Sequence, residues 1–118
     1  MKVIIAGTRS VDESPDMMAV LEEAISESGF GIDEVVSGGA SGVDRLGEKW
    51  ACAYNKPVQQ FLPDWDRFGK AAGPKRNTQM LEYADALLAL WDGESKGTKN
   101  IIDQAHVLMF PVYVYKLK

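Results

Sequence analysis

Val35-Val36-Ser37-Gly38-Gly39-Ala40-Ser41-Gly42-Val43-Asp44 passes from a short β-branched run, through three glycines, into the start of a helix. A strand that breaks into a glycine-rich turn and re-emerges as a helix is half of a βα unit, and it sets what the rest of the chain must supply. The glycines also carry chemistry. They let the main chain turn sharply and bring bare N–H groups against an anion, and a helix N-terminus adds a partial charge of about +0.5. A phosphate held in this way needs no lysine. Short glycine turns also join strands to helices in proteins that bind nothing, and this one has the spacing of neither a Walker A loop nor a dinucleotide fingerprint.

Upstream, Lys2-Val3-Ile4-Ile5-Ala6 is a nearly continuous apolar run ending in Gly7, as expected of a strand buried on both faces. Ser14 as cap and Pro15 at the first position predict a helix with Met17, Val20, Leu21, Ala24 and Ile25 inward, closed by Ser28-Gly29. The second strand is Glu34 to Ser37. The helix after it places Val43, Leu46, Gly47, Trp50, Ala51 and Tyr54 on one face, and Asn55 and Pro57 close it. Downstream, a third strand at Val58 to Leu62 leads into a long irregular stretch. Pro74 then begins a helix with Asn77, Met80, Leu81 and Ala84 inward. Ala86 to Trp91 is the fourth strand. After the polar loop Asp92 to Lys96, Gly97-Thr98 opens a last helix with Ile101, Ile102, Ala105, Leu108 and Met109 inward; Pro111 stops it, and Val112 to Tyr115 is the fifth strand. Strict βα alternation predicts an α/β three-layer sandwich, a single domain over residues 1–118, with a five-stranded parallel sheet in the order 3-2-1-4-5.

The net charge of −4 and a pI near 4.9 argue against a surface that holds nucleic acid by general electrostatics. The single cysteine, Cys52, lies in an apolar helical pattern and reads as a buried inert thiol, which leaves no cysteine-based metal cluster or disulfide. The lone His106 has no other ligand types at helical spacing, so no metal site is expected. Without a leader pattern or an apolar run of about eighteen residues, the expectation is a soluble cytoplasmic protein with no membrane partner.

In an open parallel sheet, ligands sit outside the carboxyl ends of the strands, where the strand order reverses. Every unusual polar cluster of this chain directly follows a strand. Gly7-Thr8-Arg9-Ser10 follows the first, Gly38 to Asp44 the second, and Asp64 to Asn77 the third. Asp92-Gly93 to Thr98 follows the fourth. On the sheet order above, the first and fourth loops face each other across a ligand. Arg9 would bring a guanidinium there, unless it pairs with Asp12 or Glu13. Arg76 reads as lying in the first turn of its helix, where a cation opposes the dipole unless an anion compensates. Its fork suits phosphate or carboxylate, and Asn77 suits a sugar or a base edge, the alternative being pairing of Arg76 with Glu82 or Asp64. Asp44 suits either the helix dipole or a ribose hydroxyl. Trp65 and Phe68 are read as plugs at the core edge in preference to stacking platforms for a base. Trp50, Trp91, Tyr113 and Tyr115 leave two roles open, a core or a homodimer interface.

Taken together, VIIAGTRS, VVSGGASGVD, PDWDRFGKAAGPKRN and WDGESKGTKN resemble the YspA-type, cpYpsA-related branch of the SLOG superfamily over nearly the whole chain. That resemblance implies a Rossmann-like core and a site for a nucleotide or nucleotide-derived ligand, ADP-ribose-like or a nucleoside monophosphate, with no further cofactor required, in a sensor or accessory protein. The run Ser37 to Asp44 is similar to the glycine loop of DNA-processing protein A, and Pro74-Lys75-Arg76-Asn77 to its arginine-asparagine motif; those relatives bind single-stranded DNA. The phosphoribohydrolase branch carries Pro-Gly-Gly-x-Gly-Thr-x-x-Glu. Here Gly97 and Thr98 match, and Ile101 stands in place of the glutamate. An isoleucine supplies neither a proton nor a charge to an oxocarbenium-like transition state. Hydrolysis of an N-glycosidic bond would then fall to Asp92, Glu94 or Asp44. The implied ligand residues are Gly7, Thr8, Arg9, Ser10, Ser37, Gly38, Gly39, Ala40, Ser41, Gly42, Asp44, Arg76, Asn77, Asp92, Gly93, Gly97 and Thr98. A third reading, a single-stranded nucleic-acid-binding module, has the acidic composition against it.

Overall fold

The computed structural model describes residues 1–117. The apolar runs form strands β1 (Lys2–Gly7), β2 (Glu34–Ser37), β3 (Val58–Gln60), β4 (Ala86–Trp91) and β5 (Val112–Lys116), all parallel, in the order β3-β2-β1-β4-β5. Between them lie helices α1 (Pro15–Ser28), α2 (Val43–Ala53), α3 (Trp65–Phe68), α4 (Ala72–Tyr83) and α5 (Lys96–Val107), with one turn of 3₁₀ helix at Gly69–Ala71. The three-layer α/β expectation and its strand order both hold.

Side chains of a strand alternate between faces, and β1 shows why both faces of this sheet must be covered. Val3 and Ile5 pack with Leu21 of α1 and Leu46 of α2 on one side, while Ile4 and Ala6 pack with Met80 of α4 and Ile101 of α5 on the other. β1 and β4 are almost wholly buried, and each enclosed aliphatic side chain contributes roughly 1.5–3 kcal/mol relative to exposure. α1 starts where its cap predicts: Ser14 Oγ accepts the Met17 N–H at 3.2 Å, and Pro15 follows. Gly29 ends it in the left-handed region.

Several local expectations need correction. β3 ends at Gln60 instead of Leu62 and is exposed throughout, because it is an edge strand and Pro63 has no N–H to extend a ladder. The stretch read as irregular contains α3, which Asp64 caps through the Arg67 N–H. α4 begins at Ala72, so Pro74 occupies a first-turn position whose N–H needs no partner, and Arg76 and Asn77 fall in the second turn. Cys52 is exposed, not buried: it follows the buried Ala51 by about 100° around α2 and turns away from the sheet. Tyr54 caps α2 and is exposed, its hydroxyl donating to Glu22. Leu108 and Met109 are exposed because α5 stops at Val107 and Met109 turns with φ of 55°, which ends the helical period.

The aromatic residues left open between core and interface pack within the chain. Trp50 joins the core on the α1 and α2 side, and the Trp91 indole N–H donates to the Ser95 carbonyl. The Tyr113 and Tyr115 hydroxyls donate to Glu27 and Glu23 of α1. Among the described residues no helix is long and apolar enough to cross a membrane.

The close seat of α2 on β1 depends on Gly47, where an added β-carbon would stand 2.8 Å from Ile5 Cγ2 and 2.9 Å from its Cβ. Replacing Gly47 by Val forces that helix off the sheet. The expected cost is about 1–3 kcal/mol of overpacking, read as a lower urea midpoint at unchanged slope.

Candidate functional site

β1 and β4 are neighbours, yet α1 packs on one face of the sheet and α5 on the other. The loops leaving these two strands therefore part, and the gap between them is the switch-point crevice. Thr8 ties its rim together. Its N–H donates to the Leu90 carbonyl at 3.1 Å, its carbonyl accepts the Val43 N–H at 3.2 Å, and its hydroxyl accepts the Asp92 N–H at 3.0 Å. The loops after β1, β2 and β4 are fixed to each other through this one buried residue. Gly42 completes the junction: its φ is +77°, and a β-carbon there would run into the Thr8 and Arg9 carbonyls.

From the other side of the sheet, α4 delivers Arg76. Its Nη1 donates to the Gly38 carbonyl at 2.7 Å and its Nε to Asn77 Oδ1 at 3.0 Å. A β-carbon on Gly38 would collide with that guanidinium, so the glycine is required by the arginine as well as by the turn. Asn77 Nδ2 in turn donates to the Gly97 carbonyl at 3.3 Å and to Asn100 Oδ1 at 3.1 Å. Arg76 and Asn77 thus bridge the glycine loop to the start of α5. The partners considered from sequence, Glu82 and Asp64, are not used.

Arg76 is only 7% exposed, and Arg9 stands exposed above it. Neither closes an ion pair among the described residues. Burial lowers the Arg76 pKa, which nearby Asp44 opposes and Arg9 reinforces. Asp44 lies in the first turn of α2, accepting the Ala40 N–H at 3.2 Å. Burial pushes its carboxyl up to about 6, while the Ala40 N–H and the Arg76 charge pull the other way. Asp44, Gly97, Thr98 and Ile101 line a narrow throat. It opens on one side over Gly38 to Ser41, into a hollow of about 180 Å³, and on the other into one of about 520 Å³ between Trp65 and Asn100.

Not every residue singled out from sequence faces this cleft. Gly7, Arg9, Gly38, Gly39, Ala40, Ser41, Asp44, Arg76, Asn77, Gly97 and Thr98 line it. Ser37 lies beneath, its hydroxyl donating to Glu48 at 2.6 Å and accepting the Gly39 N–H, and Thr8 and Gly42 brace the rim. Ser10 is exposed outside the cleft. Asp92 Oδ1 accepts the N–H groups of Glu94 and Ser95, which holds its carboxyl below the usual range and folds the loop, so Asp92, Gly93 and Glu94 lie off the lining. Trp65 departs from the plug reading: it is 49% exposed and lies against Gly73 at the edge of the larger hollow. Lys96 and Asn100 also line the larger hollow without having been singled out. Asn100 was detectable only as a polar residue three past Gly97, on the same helix face.

A doubly covered parallel sheet in the order β3-β2-β1-β4-β5, with an arginine-bearing cleft at its switch point, defines a Rossmann-like α/β domain. The chain belongs to the YspA, cpYpsA-related SLOG family, whose model matches residues 1–68, from β1 through the glycine loop to α3. Gene 61 protein of Mycobacterium phage D29 is 32% identical over 117 residues, covering 94% of this chain and 93% of the phage protein. DNA processing protein A (DprA) from Streptococcus pneumoniae superposes with a TM-score of 0.74 at 17% identity, over 96% of this chain and 49% of that one. The chain spans about half the length of DprA, and the likeness is one of fold.

The raised pKa of Asp44 predicts a particular dependence on pH. The unfolded chain releases this proton near 3.8 and the folded chain near 6, so its cost is absent below the lower value and full above the higher one. Asp44→Asn, which keeps an acceptor for Ala40, removes a penalty of about 3 kcal/mol. The stability difference between the two proteins in urea should therefore shift in favour of the variant as pH rises from about 4 to about 6, and stay level above that.

Proposed function

We propose that this chain binds a nucleotide or nucleotide-derived anion, of the ADP-ribose or nucleoside monophosphate kind, with its phosphate in the rim cleft, and works as a sensor or accessory protein. The observation that carries this reading is a pair of arginines, one of them buried, with no carboxylate in an ion pair with either among the described residues, in a chain of net charge −4. A buried cation whose hydrogen bonds go only to neutral acceptors retains its charge for an anion from outside. α2 and α5 strengthen the field: neither has a side-chain cap, in contrast to α1, so apart from the Val43 N–H, which the Thr8 carbonyl takes, no capping side chain competes for their first-turn N–H groups. Gly97 supports the same reading. A β-carbon there meets nothing within 4 Å, so the fold does not demand the glycine, and its bareness keeps the cleft open.

Titration calorimetry with AMP, ADP-ribose, NAD and cyclic nucleotides tests this, with a single-stranded oligonucleotide as a further arm because DprA is a DNA processing protein by name. At least one mononucleotide-type ligand should bind. Arg9→Ala, which removes no intramolecular side-chain bond among the described residues, should weaken it about tenfold to a hundredfold at unchanged melting temperature. Gly97→Ala should leave stability unchanged or raised while reducing affinity. Failure of every such ligand to bind the folded protein would sink the proposal, and a steeply salt-dependent preference for the oligonucleotide would redirect it to nucleic acid.

One observation favours a second reading, N-glycosidic hydrolysis. Asp44 is the one carboxyl group lining the cleft among the described residues, and its pKa of about 6 suits proton transfer near neutrality. Chromatography of a nucleoside monophosphate after long incubation separates the two. An intact ligand leaves binding alone; free base that disappears in Asp44→Asn establishes the hydrolase.

A further inference from the structure

We infer that the hollow between Trp65 and the start of α5 seats a purine base and selects guanine or hypoxanthine over adenine by the edge it can bind. The inference rests on the phosphate reading above and adds the chemistry of the group beside the phosphate. The hollow measures about 520 Å³ and adjoins Arg9 and Arg76, which is room for a base and its sugar next to the anion site. One wall is the half-exposed indole of Trp65, a large apolar plane set at the mouth of a cationic cleft and available for stacking.

The polar wall opposite is richer in free donors than in free acceptors: the Ser95 hydroxyl is paired with Thr98 Oγ1 at 3.2 Å, and Asn77 Oδ1 already accepts from Arg76 Nε. Asn100 Oδ1 accepts from Asn77 Nδ2 at 3.1 Å and from Gln104 Nε2 at 2.8 Å, which occupies both lone pairs. Its own amide N–H groups have no partner among the described residues and can face only the hollow or solvent. The Pro74 carbonyl is taken twice as well, by Thr78 Oγ1 and Gln104 Nε2, each at 3.1 Å. The Gly97 carbonyl is engaged by Asn77. Lys96, exposed on the same wall and in no ion pair among the described residues, is a donor only. A purine edge placed here meets N–H groups. Guanine and hypoxanthine present two acceptors there, N7 and O6, whereas adenine replaces O6 with an amino group that would set donor against donor.

Affinities of GMP, IMP, AMP and ribose 5-phosphate for the chain, for Trp65→Ala and for Asn100→Asp test the inference, with melting temperatures checked for each protein. GMP and IMP should bind about fivefold to tenfold more tightly than AMP. Trp65→Ala should cost all three nucleotides about tenfold and leave ribose 5-phosphate unchanged. Asn100→Asp keeps the oxygen that serves Asn77 and Gln104 but exchanges the free donor for an acceptor, so it should erase or invert the preference. If that variant does not fold, the GMP to AMP ratio of the unaltered chain and the Trp65→Ala result decide. Equal affinity for GMP and ribose 5-phosphate overturns the base seat while leaving the phosphate reading intact. Equal affinity for GMP and AMP overturns the edge rule. Binding of none of the four overturns both.

Discussion

The hydrogen bond from Arg76 Nη1 to the Gly38 carbonyl is the constraint on which the cleft depends. It crosses from the α4 and α5 layer to the loop between β2 and α2, tying elements that lie on opposite faces of the sheet. Its energetics are unusual for a buried cation. The guanidinium meets carbonyl and amide oxygens in place of a carboxylate, so its geometry is fixed while its charge is left uncompensated at short range. Asp44 opposes that charge from nearby without bonding to the guanidinium, and it does so less as the pH falls toward its raised value of about 6. The result is a rim that is rigid and electropositive in an otherwise acidic molecule, with helix starts adding to the same field.

Rigidity comes from a second, cheaper device. Thr8 and Gly42 put backbone against backbone, so the β1 and β2 loops cannot move apart without losing the Val43 to Thr8 bond, and the β4 loop is held through the Thr8 hydroxyl. A site assembled from main-chain groups of three loops needs such fastening, because loops otherwise sample many conformations. The absence of a β-carbon at Gly38 and Gly42 is therefore structural, whereas at Gly97 it serves only space.

How far the sequence revealed this follows the range of the forces involved. β1 and β4 were legible because burial on both faces leaves an unbroken apolar run, and α1 because Ser14 and Pro15 act within one turn of themselves. The placement of loops on one rim followed from strict alternation, a topological rule that needs no contact to be known. What escaped was set by contacts distant in sequence. α3 is too short for a period to show. That α4 has two residues, Ala72 and Gly73, ahead of Pro74 is invisible to a rule that treats proline as a start. Cys52 and Tyr54 lie near the end of a helix whose inward face is narrow. Asp92 looked like a site carboxylate until its loop folded around it, and Trp65 looked like a plug, whereas half of its surface stays exposed.

The position of Ile101 bears on chemistry in the same way. One turn into α5 from Gly97 and Thr98, its side chain touches the throat yet is 1% exposed and belongs to the core with Ile4, Leu87 and Met80. A carboxylate there would lie half in that core and, without a partner, would be driven toward its neutral form. This wall of the cleft is thus built for packing. On the function proposed, the groups to meet an anion are the arginines and the helix starts, and the carboxyl able to exchange a proton is Asp44, in the first turn of α2. An electropositive cleft of this kind can retain a phosphate whether or not Asp44 ever acts on the bond beyond it.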